Sequence, residues 1–574
     1  MALRPRFAGH RTAGERFEVP GGGAAGRHGA GTSVVRRRTF LTGLGLTAVA
    51  ASCARPAAPA AAPGRVLPDA ITAIMTKPRY GAASWSLLAA DVASGETFYA
   101  LDPDRMALTG STRKLFSVGA ALATLGADHR RTTPVHRTGP VDTRGVLDGH
   151  LVLVGGGDLT FGGRCLDADT VQYTDFDHND ANTLGSAILT PQDPLYALDR
   201  LAKQVRGAGV TSVRGDVVVD DRLFTPYRVP NGNLLITPIL VNENMVDVTV
   251  TPTRPGHPAT LEHRPRTAAL AVGGTVATTA AGSESSVVLS DEGLAECVAA
   301  PGCAASVQGT IPVGYRAPLT GGDSFVGTFR VEDPPSFART AFVEALRANG
   351  VAVAAAAVGD NPSALLPPPS SYRIDNRLAA FESPPYAQHA RLILKVSLNL
   401  GANLSLSLLG LARGETTVEG ALAAERRTLV DRFHVDGAQF DFPTNGSGTP
   451  DSRATPRALV SLLTALASTP VAASFRAALP VMGVDGSLVH TGTGLAGRGH
   501  VLAKPGTTIA PGPDGRTLEL KAQNLSGYIE TRSGRTVAYA LMVNDAGPIT
   551  DIENDVSAVF EDEGEISSII HETL

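Results

Sequence analysis

Gly110-Ser111-Thr112-Arg113-Lys114-Leu115-Phe116-Ser117-Val118-Gly119-Ala120-Ala121-Leu122-Ala123-Thr124-Leu125-Gly126 decides how the rest of the chain is read. Leu115, Val118, Leu122 and Leu125 recur at intervals of three and four, which predicts one helix over 111–125 stopped by Gly126. Ser111 then opens the helix, and Lys114 lies one turn on, on the same face. A serine hydroxyl is a poor nucleophile until a base takes its proton, and a desolvated lysine can be that base. Helix-terminal N–H groups favour negative charge developing at the serine oxygen. Lysine is rare here: it makes up six of the 50 lysine and arginine residues. Arginine stays charged at any working pH, so each remaining lysine is worth reading for chemistry.

Two more of the six lysines open short polar motifs, Lys395-Val-Ser397-Leu-Asn399 and Lys504-Pro505-Gly506-Thr507. Taken with Ser111-Thr-Arg-Lys114 they give the order S-x-x-K, S-x-N, K-x-G, each pattern occurring once. This resembles the active-site serine penicillin-binding proteins and serine β-lactamases. Further stretches narrow the resemblance: Leu147-Asp-Gly-His-Leu-Val-Leu-Val-Gly-Gly-Gly-Asp158, Val213-Arg-Gly-Asp-Val-Val-Val-Asp220, Glu382-Ser-Pro-Pro385, Asn445-Gly-Ser-Gly448, Gly483-Val-Asp-Gly-Ser-Leu488 and Leu525-Ser-Gly-Tyr528. Over roughly residues 70–560 the chain is similar to the D-alanyl-D-alanine carboxypeptidase/endopeptidase family, the type-4 class of low-molecular-mass penicillin-binding proteins. The long separation of Ser111 from Ser397 suits that class, which carries domains inserted between the first two motifs.

The resemblance implies Ser111, Lys114, Ser397, Asn399 and Lys504 as catalytic residues, with Gly506 and Thr507 binding substrate. Ser397 would pass a proton to the leaving amine, and Asn399 would orient lysine and substrate amide. Lys504 would place positive charge at the substrate's terminal carboxylate, and Gly506 would let the substrate backbone lie against the strand. Thr507 would offer its hydroxyl to the carboxylate and its N–H, with that of Ser111, to an oxyanion hole. Pro505 stands where the family pattern has Thr or Ser, and Pro511-Gly-Pro-Asp-Gly515 lengthens the following turn. Leu398 for a common Asp and Asn403 for a frequent Glu are smaller departures.

Around these motifs the pattern predicts a short helix over 67–75, a hairpin of strands 84–91 and 97–100, and then the serine helix. Short β-rich runs follow from about 135 to 371, at 151–154, 217–219, 246–250 and 285–289, with helical pieces near 195–207 and 336–349. Ser383-Pro-Pro reads as a capped helix start, followed by helices over 386–396, 400–413, 417–432 and 455–468. Strands over 501–504, 525–531 and 536–543 and a C-terminal helix close the chain. The expected fold is α+β: a serine β-lactamase/transpeptidase-like domain, an antiparallel sheet flanked by helices, interrupted by a large β-rich insertion. The divisions are 1–64 (export signal and Ala/Pro linker), 65–134 and 372–574 (the two parts of the transpeptidase-like domain) and 135–371 (the insertion).

A length of 574 residues with 43% hydrophobic content gives real cores, and a net charge of −5 argues against a nucleic-acid binder. Arg36-Arg-Arg-Thr-Phe-Leu41, a modest apolar stretch to Ala51 and the Ala/Pro run ending at Gly64 resemble a twin-arginine export signal. Cys53 is a candidate lipid anchor, although Ala50 stands where a lipobox has leucine, and residues 1–33 read as a disordered Gly/Arg-rich extension. In an oxidising compartment Cys297 and Cys303 could close a small loop, which leaves Cys165 without a partner. Asp175-Phe-Asp-His-Asn-Asp180 lacks the glycine and distal glutamate of a calcium loop and reads as a solvated acidic loop, so no metal is expected, and the serine chemistry that the resemblance implies needs no cofactor.

The resemblance therefore implies an exported serine D,D-peptidase acting on peptidoglycan stem peptides and acylated by β-lactam antibiotics. A β-lactamase-like hydrolase and a catalytically impaired wall-binding protein are its rivals.

Overall fold

The computed structural model describes residues 65–574 except 231 and 233. The stretches read as an export signal and as a 1–33 extension, and Cys53, lie outside the described residues. Two distant pieces of chain build the central antiparallel sheet. Its strand order is Thr97–Leu101, Ser84–Asp91, Thr536–Asn544, Leu518–Glu530, Val501–Pro511, with Pro548–Ile549 added to Leu518–Glu530. Ser84–Asp91 is buried almost throughout because both faces of the sheet are covered. Leu87 and Ala89 enter the core beneath helices Asp69–Met75 and Ile552–Thr573, whereas Leu88 and Ala90 enter the core shared with Arg113–Leu125, Tyr386–Val396, Asn399–Leu411 and Pro456–Ala467. The period of two along a strand makes this split. Val501–Pro511 ends the sheet, an edge position at which Pro505 is tolerated although it has no N–H for a ladder. The fold is α+β, and among the described residues no helix is long and apolar enough to cross a membrane.

Between the serine helix and Tyr386–Val396 the chain makes several small sheets and, besides short helical turns, the longer helices Tyr196–Gly207 and Pro334–Ala348, around a core of their own. Thr132–Arg137 and Arg377–Glu382 pair antiparallel, so the chain leaves for this region and returns from it side by side. Cys297 and Cys303 form a disulfide there, and Cys165 is free. Two local expectations are corrected. Of 285–289 only Val288–Leu289 is strand. Ser383 does not cap the following helix, which starts at Tyr386 with no side-chain cap; its hydroxyl accepts from Arg131 N–H and donates to the Pro384 carbonyl.

The segment 175–180 is not a solvated loop. Asp177 and His178 are buried with Glu243 and Asp247. Arg164 donates to Asp177 at 2.6 and 3.0 Å and to Glu243, His178 Nδ1 lies 2.7 Å from Asp247, and Arg264 Nε donates to Asp247 at 3.0 Å. Three cations thus face three carboxylates. Asp177, His178 and Glu243 are close enough to share a metal ion, but Arg164 already supplies the positive charge. Burial disfavours the imidazolium, yet Asp247 and Glu243 outweigh it and raise the His178 pKa to about 10. The stability that His178 contributes is therefore whole below its unfolded value and is lost as pH rises through about 10. Arg164→Met should cost about 3–5 kcal/mol, because it strands two buried carboxylates. Urea denaturation at neutral pH measures this, and a loss under about 1 kcal/mol would show that the network is not holding the region.

Candidate active site

Ser111 lies in a single 3-10 turn, Gly110–Thr112, which runs directly into helix Arg113–Leu125. The turn is fixed from three sides. Asn524 Nδ2, on the strand next to the sheet edge, donates to the Leu108 and Thr109 carbonyls at 2.9 Å each. Arg113 is fully buried, pairs with Glu425 and has its guanidinium 3.8 Å from the centre of the Phe442 ring. The third contact is Gly506. A Cβ built there would stand 2.4 Å from the Thr109 carbonyl oxygen and 3.0 Å from Ser111 N. A side chain at Gly506 would thus meet the serine turn, so the close approach of strand and turn requires glycine here. A Cβ built on Gly110, at φ +48°, would stand 2.7 Å from Thr507 N.

Lys114 is fully buried. Its Nζ lies 2.6 Å from Ser111 Oγ, 3.2 Å from Ser397 Oγ and 3.3 Å from the Ser447 carbonyl oxygen. Burial lowers its pKa to about 7, against the pull of Asp180. A large fraction of this amine is therefore neutral at physiological pH and able to take a proton from the serine. Ser397 reaches it because helix Tyr386–Val396 ends there in a left-handed residue, φ +62°. Asn399 starts the next helix, and its Oδ1 is buried without a hydrogen-bond partner among the described residues.

Lys504 is also fully buried, and its Nζ donates to the Pro505 carbonyl at 2.8 Å. Burial, and secondarily the charge of Lys114, push its pKa well down. The structure therefore brings Ser111, Lys114 and Ser397 into one cluster, with Gly506 and Thr507 against the serine turn and Lys504 beneath. Thr507 Oγ1 donates to Gln523 Oε1 at 2.7 Å.

Three contributors were not marked as site residues by the motif order. Asn445-Gly-Ser-Gly448 supplies the carbonyl above Lys114. Its shape is held by Asn445 Oδ1, which accepts from the N–H groups of Ser447 and Gly448 at 2.8 Å, and by Asn403, which accepts from Gly446 N–H at 2.8 Å and donates to Ser447 Oγ at 3.1 Å. Asp180 arrives from the inserted region. Burial and the neighbouring Asp177 push its pKa up to about 6, while Lys114, Lys504 and Arg330 pull it down. Gln523 is the third. Among these only the Asn445 loop had a sequence signal, since it was one of the stretches carrying the family resemblance.

A serine hydroxyl with a buried amine of lowered pKa at hydrogen-bond distance, a second hydroxyl on that amine and the close approach of the Ser111 turn to Thr507 are parts from which an acyl-transfer site can be built. Comparison with known proteins agrees with this chemistry. The model of the D-Ala-D-Ala carboxypeptidase 3 (S13) family matches residues 67–561. A D-alanyl-D-alanine carboxypeptidase of Actinomadura sp. (strain R39) is 28% identical over 522 residues, covering 85% of this chain and 87% of its own. Among solved structures, penicillin binding protein 4 from Haemophilus influenzae superposes with a TM-score of 0.62 at 18% identity, covering 88% of this chain and 99% of that one. The same protein complexed with a β-lactam gives 0.59. These two structures speak for the shared fold.

Proposed function

The chain belongs to the D-Ala-D-Ala carboxypeptidase 3 (S13) family, and from that premise we propose that Ser111 is the nucleophile of a serine D,D-peptidase acting on peptidoglycan stem peptides. Ser111 Oγ attacks the carbonyl carbon between two D-alanines while its proton passes to Lys114. The N–H groups of Ser111 and Thr507 receive the oxyanion. The C–N bond then breaks as Ser397 passes its proton to the departing D-alanine nitrogen and takes in turn the one Lys114 holds, and water hydrolyses the ester. β-Lactams acylate the same oxygen. The observation that carries this reading is Lys114 Nζ, buried and within 2.6 Å of Ser111 Oγ and 3.2 Å of Ser397 Oγ. Residues 65–134 and 372–574 form the catalytic body, and 135–371 an insertion that lends Asp180 to the rim.

The terminal carboxylate of the substrate meets the edge strand at Thr507; burial disfavours the charged form of nearby Lys504, and an arriving carboxylate offsets that and holds its proton. Thr507→Val keeps the side-chain shape and removes the hydroxyl. It should lower kcat/KM on a D-Ala-D-Ala peptide by about tenfold to a hundredfold, the worth of a hydrogen bond to a charged group. Cleavage of the C-terminal amide of the same peptide should change little. If the acid and the amide suffer alike, Thr507 is not at the carboxylate.

Such an enzyme works on the cell envelope, and export through the twin-arginine route follows from Arg37-Arg38-Thr-Phe-Leu41, with Cys53 as a lipid-attachment point. Replacing Arg37 and Arg38 by lysine should hold a reporter fusion inside the cell. Unchanged secretion would remove this route.

A further inference from the structure

We propose that Asn403 is a positioning residue for the general base: it holds the Ser447 carbonyl against Lys114, and that carbonyl aims the lone pair of the neutral amine at a serine hydroxyl. The inference rests on Lys114 being the base, as read above.

A neutral primary amine has a pair of N–H groups and a single lone pair. Among the described residues Lys114 Nζ meets Ser111 Oγ at 2.6 Å, Ser397 Oγ at 3.2 Å and the Ser447 carbonyl oxygen at 3.3 Å. A hydroxyl can donate or accept, whereas a carbonyl only accepts. The Ser447 carbonyl therefore takes an N–H in every arrangement that pairs all the groups. What remains for the serines is the other N–H and the lone pair, so the lone pair faces a hydroxyl. With the lone pair on Ser111 and the N–H on Ser397, the amine is set to take the nucleophile's proton. Were the carbonyl withdrawn, both N–H groups could settle on the serines, and the lone pair would point at neither.

Side chains fix that carbonyl in place. Asn403, on helix Asn399–Leu411, is completely buried and uses both ends of its amide. Its Oδ1 accepts from Gly446 N–H at 2.8 Å, and its Nδ2 donates to Ser447 Oγ at 3.1 Å and to the Asn399 carbonyl at 2.9 Å. The reverse orientation of the amide would set oxygen against the Asn399 carbonyl and N–H against N–H at Gly446, so the hydrogen bonds determine this one. Asn403 thus ties the loop to the segment that carries Ser397 and Asn399. A Cβ at Gly446 would stand 2.9 Å from the Ala402 carbonyl oxygen, which puts the loop directly on the helix that bears Asn403. From the other side Ser117 Oγ, one turn past Lys114 on the serine helix, donates to the Gly446 carbonyl at 2.8 Å. The base and the loop that orients it are therefore joined through both helices.

The test follows penicillin acylation of the full chain at saturating drug, on both sides of the lowered Lys114 pKa of about 7, with the end point read by intact mass. Asn403→Leu keeps the approximate shape and removes all of these side-chain hydrogen bonds. It should lower the plateau rate by about tenfold, while every molecule still ends with an adduct. The midpoint of the pH profile should fall by about half a unit to one unit, because the ammonium loses an acceptor that favoured it. The charged groups that act on Lys114, Asp180 and Lys504, stay as they are, and Arg113 and Glu425 remain paired with each other. Ser117→Ala loosens the same loop by a single hydrogen bond. It should lower the plateau about threefold with the midpoint moving the same way, and it carries the decision if Asn403→Leu does not fold. An unchanged plateau rate overturns the proposal. So does a lower end point at unchanged rate, or a midpoint that stays or rises, the marks of a merely structural role. Lys114→Arg separates the two levels. If it acylates normally, Lys114 is not the base and the inference falls with that reading. If it fails to acylate while Asn403→Leu keeps both rate and midpoint, only this inference fails.

Discussion

Lys114→Arg is expected to slow acylation by about a thousandfold or more, the range a positioned general base contributes, although the positive charge stays in place. Guanidinium does not give up its proton at any working pH, and its planar fork is larger than the ammonium it replaces. The space around Lys114 Nζ is filled by Ser111 Oγ, Ser397 Oγ and the Ser447 carbonyl. The unmodified enzyme should reveal the base through its pH profile. Burial lowers the Lys114 pKa to about 7, so kcat/KM should rise about tenfold per pH unit below that value and level off above it, as the neutral amine becomes the major form. The measurement is the second-order rate of penicillin acylation from about pH 5 to about pH 9 for both proteins, a window that brackets the lowered pKa of Lys114. Near-normal acylation in Lys114→Arg would remove Lys114 from the role of base.

Gly506→Ala is expected to cost about a hundredfold in acylation, without unfolding the protein. The added Cβ would stand 2.4 Å from the Thr109 carbonyl and 2.7 Å from Thr112 N, both backbone atoms that cannot swing aside. The edge strand or the serine turn must therefore shift, which pulls the N–H of Thr507 away from that of Ser111. Misplacement on the order of 1 Å at a reacting centre is enough for such a loss. Because Val501–Pro511 is an edge strand, the sheet should tolerate the shift, and the melting temperature should move by only a few degrees. Normal acylation in this variant would mean that the contact between strand and turn does not set the oxyanion site.

The catalytic half of the molecule was largely legible in the sequence. Leu115, Val118 and Leu122 lie on a helix as their spacing predicts, with its α-helical part starting at Arg113 after the turn that holds Ser111. The hairpin at 84–101 and helix Tyr386–Val396 follow their patterns closely. Strands of the inserted region were harder. Ala271–Thr279 reads Ala-Val-Gly-Gly-Thr-Val-Ala-Thr-Thr and is mostly exposed, so it has no apolar alternation to betray it, and its parallel pairing with Ala304–Pro312 is a long-range event. The acidic look of 175–180 misled for a related reason. Arg164, Glu243 and Asp247, which neutralise and bury it, are distant in sequence, and local composition cannot report on partners that only the fold supplies. Gln523 stayed silent in the same way: it is a strand residue whose register opposite Thr507 comes from the sheet.

If Ser111 carries the acyl group, intact-mass spectrometry of the purified protein after exposure to penicillin will show a single adduct of the full mass of the drug. The adduct should be located by digestion to the peptide containing Ser111, be absent from Ser111→Ala, and be lost only slowly on standing. A D-Ala-D-Ala peptide should meanwhile release D-alanine. Rapid loss of the adduct with turnover of the drug would favour a β-lactamase instead, and an adduct that persists on Ser111→Ala would contradict the assignment of the nucleophile.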